Sequence, residues 1–225
     1  EDCPHGHPAE FWRNGGGTYG MWIKEAFKLN PLPVFCLVDY DKGFLNGGAV
    51  NHIMWNVRSI HESFKFPVIV DPGRNGSWAK YSSPRTIFRA TLHQAMQHYV
   101  RNISGDMSCP YDSVAQVDAV QSKDFYETAA RRVASNLRTA GTEFLYVVLT
   151  LGPAGIVVCD KQGETYYHQG NPVERGDPCG AGDTVTAAMA CTLARMENPE
   201  DWGSISAAVS VACKAARVAV TKRGV

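Results

Sequence analysis

The stretch DPCGAGDT at residues 177–184 decides the fold, because two glycines around an alanine lie directly ahead of an apolar helical pattern. Backbone N–H groups of such a loop can converge on an anion where a helix begins, and the helix dipole adds partial positive charge there. Apolar residues then recur every fourth position from Val185 to Leu193, which predicts an amphipathic helix over 181–196. Asp183 therefore falls in the first helical turn, where a carboxylate could take a proton from a hydroxyl group.

The same loop has a second, purely structural interpretation. A glycine-rich turn followed by an acidic residue also starts helices that carry no chemistry, since an acid near a helix N-terminus is stabilised by the dipole. The tetrapeptide alone leaves both interpretations open, and the rest of the chain has to decide between them.

Upstream of the loop, the chain has the pattern of a strand, a helix and a second strand. Residues 34–38 form a continuous apolar run that ends at Asp39, as is typical of a buried parallel strand. Apolar residues at helical spacing predict a helix over 51–64, and 68–70 form a second buried strand. Such a unit is right-handed by default.

Further elements follow at short intervals, and the last strands lie so close together that they must pair antiparallel. The sequence predicts a three-layer α/β/α fold with a mainly parallel sheet and antiparallel edge strands. The predicted strands are 85–88, 145–151, 156–159 and 165–168, and the predicted helices are 92–99, 123–138 and 202–220.

Composition excludes several classes of partner. The formal net charge is +0, with 22 basic and 22 acidic residues, so we expect no nucleic acid and no anionic membrane as partner. No uninterrupted apolar run reaches the roughly 18 residues of a membrane span. The seven cysteines are an odd number, and four of them lie in apolar stretches, which predicts reduced core residues and a cytoplasmic protein. These four are Cys36, Cys159, Cys191 and Cys213.

The loop at 180–185, GAGDTV, resembles the signature of the PfkB or ribokinase-type carbohydrate kinases. VVLTLGPAG at 147–155 is similar to that family's nucleotide-site strand and turn, and AVTKRG at 219–224 to the segment that closes its nucleotide and monovalent-cation site. VDYDKG at 38–43 and VDP at 70–72 look most like the heptose-phosphate kinase branch, which makes precursors of ADP-heptose. The motif order matches from about residue 34 to 225.

The resemblance implies roles for individual residues. Asp183 would be the base that deprotonates the acceptor hydroxyl for attack on the γ-phosphate of ATP. The N–H groups of Gly180, Ala181 and Gly182 would stabilise the transferred phosphoryl group. Three groups of binding residues are implied in addition. The nucleotide would contact Thr150, Gly152, Gly155, Gly182 and Ala212; a monovalent cation such as K⁺ would be held at Asp177, Cys179, Ala219, Lys222 and Gly224; and the sugar or sugar phosphate would contact Asp39, Lys42 and Arg74.

This sequence departs from the family pattern at the magnesium motif. The family's Asn-x-x-Glu appears here as TLHQ at 91–94, so Thr91 and Gln94 stand where an amide and a carboxylate would order Mg²⁺-bound water. Loss of the carboxylate should weaken Mg²⁺ organisation. Position 212 is also unusual, since a polar residue is common where Ala212 stands.

The N-terminal part is the second departure. The family's N-terminal half supplies most sugar-binding residues and a β-sheet lid that often pairs subunits, so a homodimer is an expectation. Here only residues 1–30 precede the predicted catalytic domain at 31–225, and they are either a remnant of the substrate-binding part or a linker. Three functions stay open: a sugar or sugar-phosphate kinase, a non-catalytic nucleotide-binding relative, and a kinase of the same fold for a vitamin-like or pyrimidine alcohol.

Overall fold

The computed structural model describes residues 34–40, 45, 47–61, 66–73, 77–102, 122–171, 173 and 179–222. The predicted N-terminal segment at 1–30 and four of the proposed site residues lie outside these ranges. Those four are Lys42, Arg74, Asp177 and Gly224.

The described residues form one six-stranded sheet whose strand order follows the chain. The first four strands are parallel, and the last two pair antiparallel at one edge. This confirms the predicted mixed sheet. The strands are β1 (Phe35–Val38), β2 (Val68–Asp71), β3 (Thr86–Thr91), β4 (Tyr146–Thr150), β5 (Gly155–Asp160) and β6 (Thr165–Gln169).

Among the described residues, five helices and two short 3₁₀ turns accompany the sheet. The connections from β1 to β2 and from β3 to β4 contain α-helices, and the connection from β2 to β3 contains a 3₁₀ turn. The helices are α1 (Gly47–His61), α2 (Leu92–Asn102), α3 (Lys123–Thr139), α4 (Ala181–Leu193) and α5 (Trp202–Thr221), and the 3₁₀ turns are Trp78–Tyr81 and Gly152–Ala154.

Strand side chains alternate between two apolar cores, one on each face of the sheet. In β4, Val147 and Leu149 pack into the core that α1, α2 and α3 cover. Tyr146 and Val148 point to the opposite face, where α4 and α5 cover the core. Helices on both faces of the sheet give the three-layer arrangement that the sequence predicts.

Two predicted element boundaries were wrong in an instructive way. Helix α1 begins at Gly47, four residues before the predicted start, because Ala49 and Val50 are buried against the sheet and extend the helical face. Strand β3 continues to Thr91 instead of ending at Phe88, and α2 follows with no intervening loop. A pattern of apolar residues does not reveal these continuations. Glycines stand at the start of α1, and Arg89 interrupts the apolar run of β3.

The predicted burial of four cysteines was correct for only one of them. Cys159 in β5 is buried, and Cys213 in α5 is partly buried. Cys36 and Cys191 are exposed, because β1 borders only β2 among the described strands and Cys191 lies on the outer side of α4. All the described cysteines are free thiols.

Helix α5 is long and apolar enough on average to cross a membrane by length and composition alone. In the structure it packs against α4 and the sheet, and Ile205, Ala208 and Val209 are buried there. Lys214 and Arg217 interrupt its sequence. Its packing is that of a helix covering a sheet.

Candidate active site

The site lies at the carboxyl-terminal edge of the four parallel strands, where ligands bind in open α/β sheets. Asp39 and Tyr40 follow β1, and Asp71, Thr91 and Thr150 end β2, β3 and β4. The N-terminus of α4 meets this edge, since its first turn contacts residues from β3 and from the segment after β1. The topology thus brings the predicted anion loop to the expected edge.

The anion loop has the backbone geometry that the sequence predicts. Gly180 is the N-cap of α4 and adopts a left-handed conformation with φ of 73°, which glycine reaches without steric cost. It has no side chain to cap the first turn, whereas Asp201 caps α5 through its carboxylate. The first N–H groups of α4 therefore remain directed toward the site, as an anion-binding helix start requires.

Asp183 lies in the first turn of α4 with an exposed side chain. The hydroxyl group of Tyr40 donates a hydrogen bond to Asp183 Oδ1 at 3.0 Å. This bond raises the pKa of the Tyr40 phenol, which keeps it protonated as a donor. The contact orients the carboxylate and leaves its second oxygen open to a hydroxyl group. Sequence reasoning missed Tyr40, which stands directly after the candidate substrate residue Asp39.

Beneath the loop, Arg89 of β3 forms a buried ion pair with Asp71 of β2. Burial raises the pKa of the Asp71 carboxyl, and the Arg89 guanidinium opposes that shift. Sequence reasoning missed this pair too. The signal was an arginine inside the otherwise apolar strand residues 87–90, since a buried charge needs a partner.

The proposed substrate residue Asp39 is occupied by protein contacts. Its Oδ2 accepts hydrogen bonds from Lys80 Nζ at 2.8 Å and from the Tyr81 hydroxyl at 2.6 Å. Its side chain is only 5% exposed. Asp39 therefore anchors the 3₁₀ turn beside β1, and its contact with a sugar stays a prediction. Lys42 and Arg74, the other two proposed substrate residues, lie outside the described residues.

Thr91 and Gln94 form a capping box at the start of α2. The Thr91 hydroxyl accepts a hydrogen bond from Gln94 N–H at 3.0 Å, and Gln94 Oε1 accepts one from Thr91 N–H at 2.8 Å. Such a reciprocal pair satisfies two N–H groups at a helix start. Thr91 and Gln94, which the sequence analysis interprets as a degenerate magnesium motif, thus cap the start of α2. The Thr-x-x-Gln pattern itself could have predicted this capping box.

The predicted nucleotide residues divide into two sets. Thr150 is partly exposed at the end of β4, and Gly152 begins the following turn with open space around its Cα. Gly155 is packed tightly against β6, and Ala212 of α5 is fully buried in the core. The Ala212 side chain thus has no surface to offer a ligand. Nucleotide contact stays a prediction for these four residues and for Gly182 in the anion loop.

The proposed cation segment is only partly described. Cys179 is exposed in the turn before α4, and Ala219 O accepts a hydrogen bond from Lys222 N–H at 3.3 Å at the end of α5. The carbonyl oxygen of Ala219 keeps a second lone pair for a ligand. Asp177 and Gly224 lie outside the described ranges. Across the described ranges, no cluster of three acidic, histidine or cysteine side chains could hold a metal.

Solved structures of low sequence identity share this fold. Ribokinase from Giardia lamblia matches with a TM-score of 0.64 at 15% identity, over 85% of this chain and 55% of that chain. A fructokinase double mutant from Vibrio cholerae, in a form bound to fructose, ADP and potassium ion, matches with a TM-score of 0.54 at 16% identity, over 85% and 55%. The described residues therefore have a ribokinase-like fold.

Sequence comparison adds two matches. Residues 117–225 match the sequence model of the pfkB family carbohydrate kinases. The chain is 31% identical over 191 residues to the bifunctional protein HldE of Bradyrhizobium diazoefficiens. The aligned region covers 85% of this chain and 32% of that protein. The pfkB match spans just under half of this chain, and the chain spans about a third of the curated relative that it matches.

Proposed function

We propose that this domain transfers the γ-phosphoryl group of ATP to a hydroxyl group of a sugar or sugar phosphate. The observation that carries the proposal is the position of Asp183 in the first turn of α4, behind an N-cap glycine that leaves the first N–H groups uncapped. A base and an anion site within a few ångströms of each other are what in-line phosphoryl transfer needs.

Each part of the loop has its own task in this proposal. Asp183 takes the proton from the acceptor hydroxyl, whose oxygen then attacks the γ-phosphorus. The bond from the γ-phosphorus to its bridging oxygen breaks, and the N–H groups of Ala181 and Gly182 stabilise the charge on the transferred group. ATP supplies the phosphoryl group, and ADP leaves.

For the acceptor, we propose a sugar phosphate of heptose type. The support is the resemblance of 38–43 and 70–72 to the heptose-phosphate kinase branch, together with the placement of the described residues 38–40 and 70–72 at the site edge. Tyr40 adds an exposed aromatic ring, 66% accessible, beside the proposed base. Aromatic side chains with a polar tip offer both an apolar face and a hydrogen bond to such a ligand.

One observation favours a second candidate, a non-catalytic nucleotide-binding domain. The side chains of Thr91 and Gln94 are engaged in capping α2 and bear no charge, so they fit poorly as organisers of Mg²⁺-bound water. Retention of Asp183 favours catalysis, because nucleotide binding alone needs no base at that position. ATP turnover measured against a panel of sugars and sugar phosphates separates the two candidates.

Potassium is expected to raise turnover or nucleotide affinity about fivefold or more over sodium or lithium at equal ionic strength. The reason is the proposed cage at 177–179 and 219–224, in which backbone carbonyl oxygens would replace the hydration shell of the cation. Initial rates in chloride salts of the three cations test this. Identical kinetics in all three salts would show that the cage does not form.

If the chain is an active kinase, the double substitution of Thr91→Asn and Gln94→Glu is expected to lower its Mg²⁺ requirement by about tenfold. A charge-assisted contact contributes about 1.5–3 kcal/mol against 0.5–1.5 kcal/mol for a neutral hydrogen bond. Asparagine is a good N-cap and glutamate completes a capping box, so α2 should keep its start. Turnover titrated with Mg²⁺ measures the effect.

Thr91→Asn alone is the matched control for this titration, because it adds no charge and should leave the Mg²⁺ requirement unchanged. An unchanged requirement in the double variant would mean that positions 91 and 94 are not at the metal site. Binding of ATP without turnover of any acceptor, in both the double variant and the unsubstituted chain, would establish the non-catalytic candidate.

A further inference from the structure

Arg89 occupies an unusual place beneath the anion loop. It is 3% exposed in the middle of β3, and its Nη1 donates to Asp71 Oδ2 at the end of β2. Its Nε has no hydrogen-bond partner in the part of the chain that the structure describes. A buried guanidinium with an unsatisfied N–H group is costly, and an apolar pair of similar volume is often more stable. A contribution to the stability of the fold therefore does not explain why an arginine occupies this buried position.

The guanidinium group lies against the first turn of α4. A Cβ atom added at Gly182 would overlap Arg89 Nη2 and would come within 3.1 Å of both Cζ and Nη1. Real Cβ atoms do not approach so closely, and the ion pair with Asp71 prevents Arg89 from moving aside without breaking. The absence of a side chain at position 182 is thus what lets the arginine reach the loop.

We propose that Arg89 is a positioning residue of the anion loop, which fixes the first turn of α4 through Gly182 and places a positive charge behind its N–H groups. This inference rests on the proposed phosphoryl transfer. Because the guanidinium group is buried, its charge is screened less by water and acts on a bound phosphate more strongly than the charge of a surface arginine would. Asp71 holds the guanidinium in place and partly balances its charge.

The same residue type at the same helical position provides a matched comparison. Gly182 is the second residue of α4, and Gly203 is the second residue of α5. A Cβ atom added at Gly203 would meet only Asp201 Oδ1, at an ordinary distance of 3.5 Å. Alanine should therefore be accepted at position 203 and rejected at position 182, although both lie in a first helical turn.

The steric part of the proposal is tested without any ligand. Gly182→Ala is expected to lower the thermal unfolding midpoint by at least about 4 °C, whereas Gly203→Ala shifts it by less than about 2 °C. Arg89→Lys keeps a charge for Asp71 but lacks the planar group beside Gly182. In the Arg89→Lys variant, Gly182→Ala should therefore lower the unfolding midpoint much less than it does in the unsubstituted chain. An equal decrease of the unfolding midpoint in both backgrounds would show that Arg89 does not restrict position 182.

The electrostatic part is tested by a charge-neutral pair. Arg89→Met combined with Asp71→Asn removes both charges without leaving one unpaired, so the fold should be retained. We expect turnover with ATP to fall at least about tenfold while KM for ATP and affinity for ADP change by less than about threefold. Arg89→Lys should retain more activity than the double variant. A folded double variant with full turnover would show that Arg89 serves packing alone.

Failure of the proposed function is distinguishable from failure of this inference. If the unsubstituted chain turns over no acceptor, the kinase proposal fails, and the electrostatic role proposed for Arg89 fails with it. The unfolding midpoints still decide whether Arg89 fixes the first turn through Gly182. If the chain is active but the substitutions at 89 and 182 show independent effects, the kinase proposal stands and the positioning role is overturned.

Discussion

Asp183→Asn is expected to abolish phosphoryl transfer, with turnover falling by about 10²–10⁴-fold, while nucleotide affinity changes little. The carboxylate would contact the acceptor hydroxyl, whereas the phosphates would be held by backbone N–H groups that the substitution leaves in place. Asparagine keeps an oxygen that can accept the hydrogen bond from Tyr40, so the side chain should hold its orientation. Release of ADP in the presence of an acceptor, and calorimetric titration with ADP, measure the two quantities.

Tyr40→Phe is the matched control for this prediction. It removes the 3.0 Å hydrogen bond to Asp183 but leaves the carboxylate and the aromatic ring in place. Its turnover should therefore fall much less than that of Asp183→Asn. Near-full turnover in the Asp183→Asn variant would remove this residue from the mechanism. Equal losses in both variants would make the orientation of residue 183, and not its basicity, the dominant factor.

The fold and the loop could be predicted because their signals are local. A buried strand, an amphipathic helix and a glycine pair before a helix start are each written within about ten neighbouring residues. The chain order of the strands then follows from short, right-handed connections. For the same reason the predicted position of Asp183 in the first turn of α4 is confirmed.

The supporting contacts could not be predicted in this way, because they join residues that are distant in sequence. Tyr40 and Asp183 are 143 positions apart, and Arg89 and Asp71 are 18 apart. Only the requirement that a buried charge be paired hints at the second contact. The resemblance to a family also favoured a metal role for Thr91 and Gln94 over the capping box that the same residue types form.

Gly155→Ala is expected to be the most destabilising single substitution considered for this fold, at about 3–5 kcal/mol in the free energy of unfolding. Gly155 has a φ of 112°, a region that other residues avoid. A Cβ atom there would overlap the carbonyl oxygen of His168 and the N–H of Gly170, and would lie 2.9 Å from the carbonyl carbon of Gln169. These are backbone atoms at the end of β6, so no rotamer change can relieve the overlap. Urea unfolding followed by circular dichroism measures the loss.

Gly152→Ala separates backbone strain from this overlap, because Gly152 also has a positive φ of 58° but an added Cβ would meet nothing within 4 Å. The Gly152→Ala substitution should lower the free energy of unfolding by only about 1–2 kcal/mol. Losses of equal size would mean that the backbone at the end of β6 can shift to make room for the added Cβ atom. The contrast also bears on function, since the resemblance assigns both glycines to the nucleotide. In Gly155→Ala any loss of ADP affinity is confounded with unfolding. In the folded Gly152→Ala variant, a loss of ADP affinity reports on the nucleotide site itself, and unchanged affinity would remove Gly152 from it.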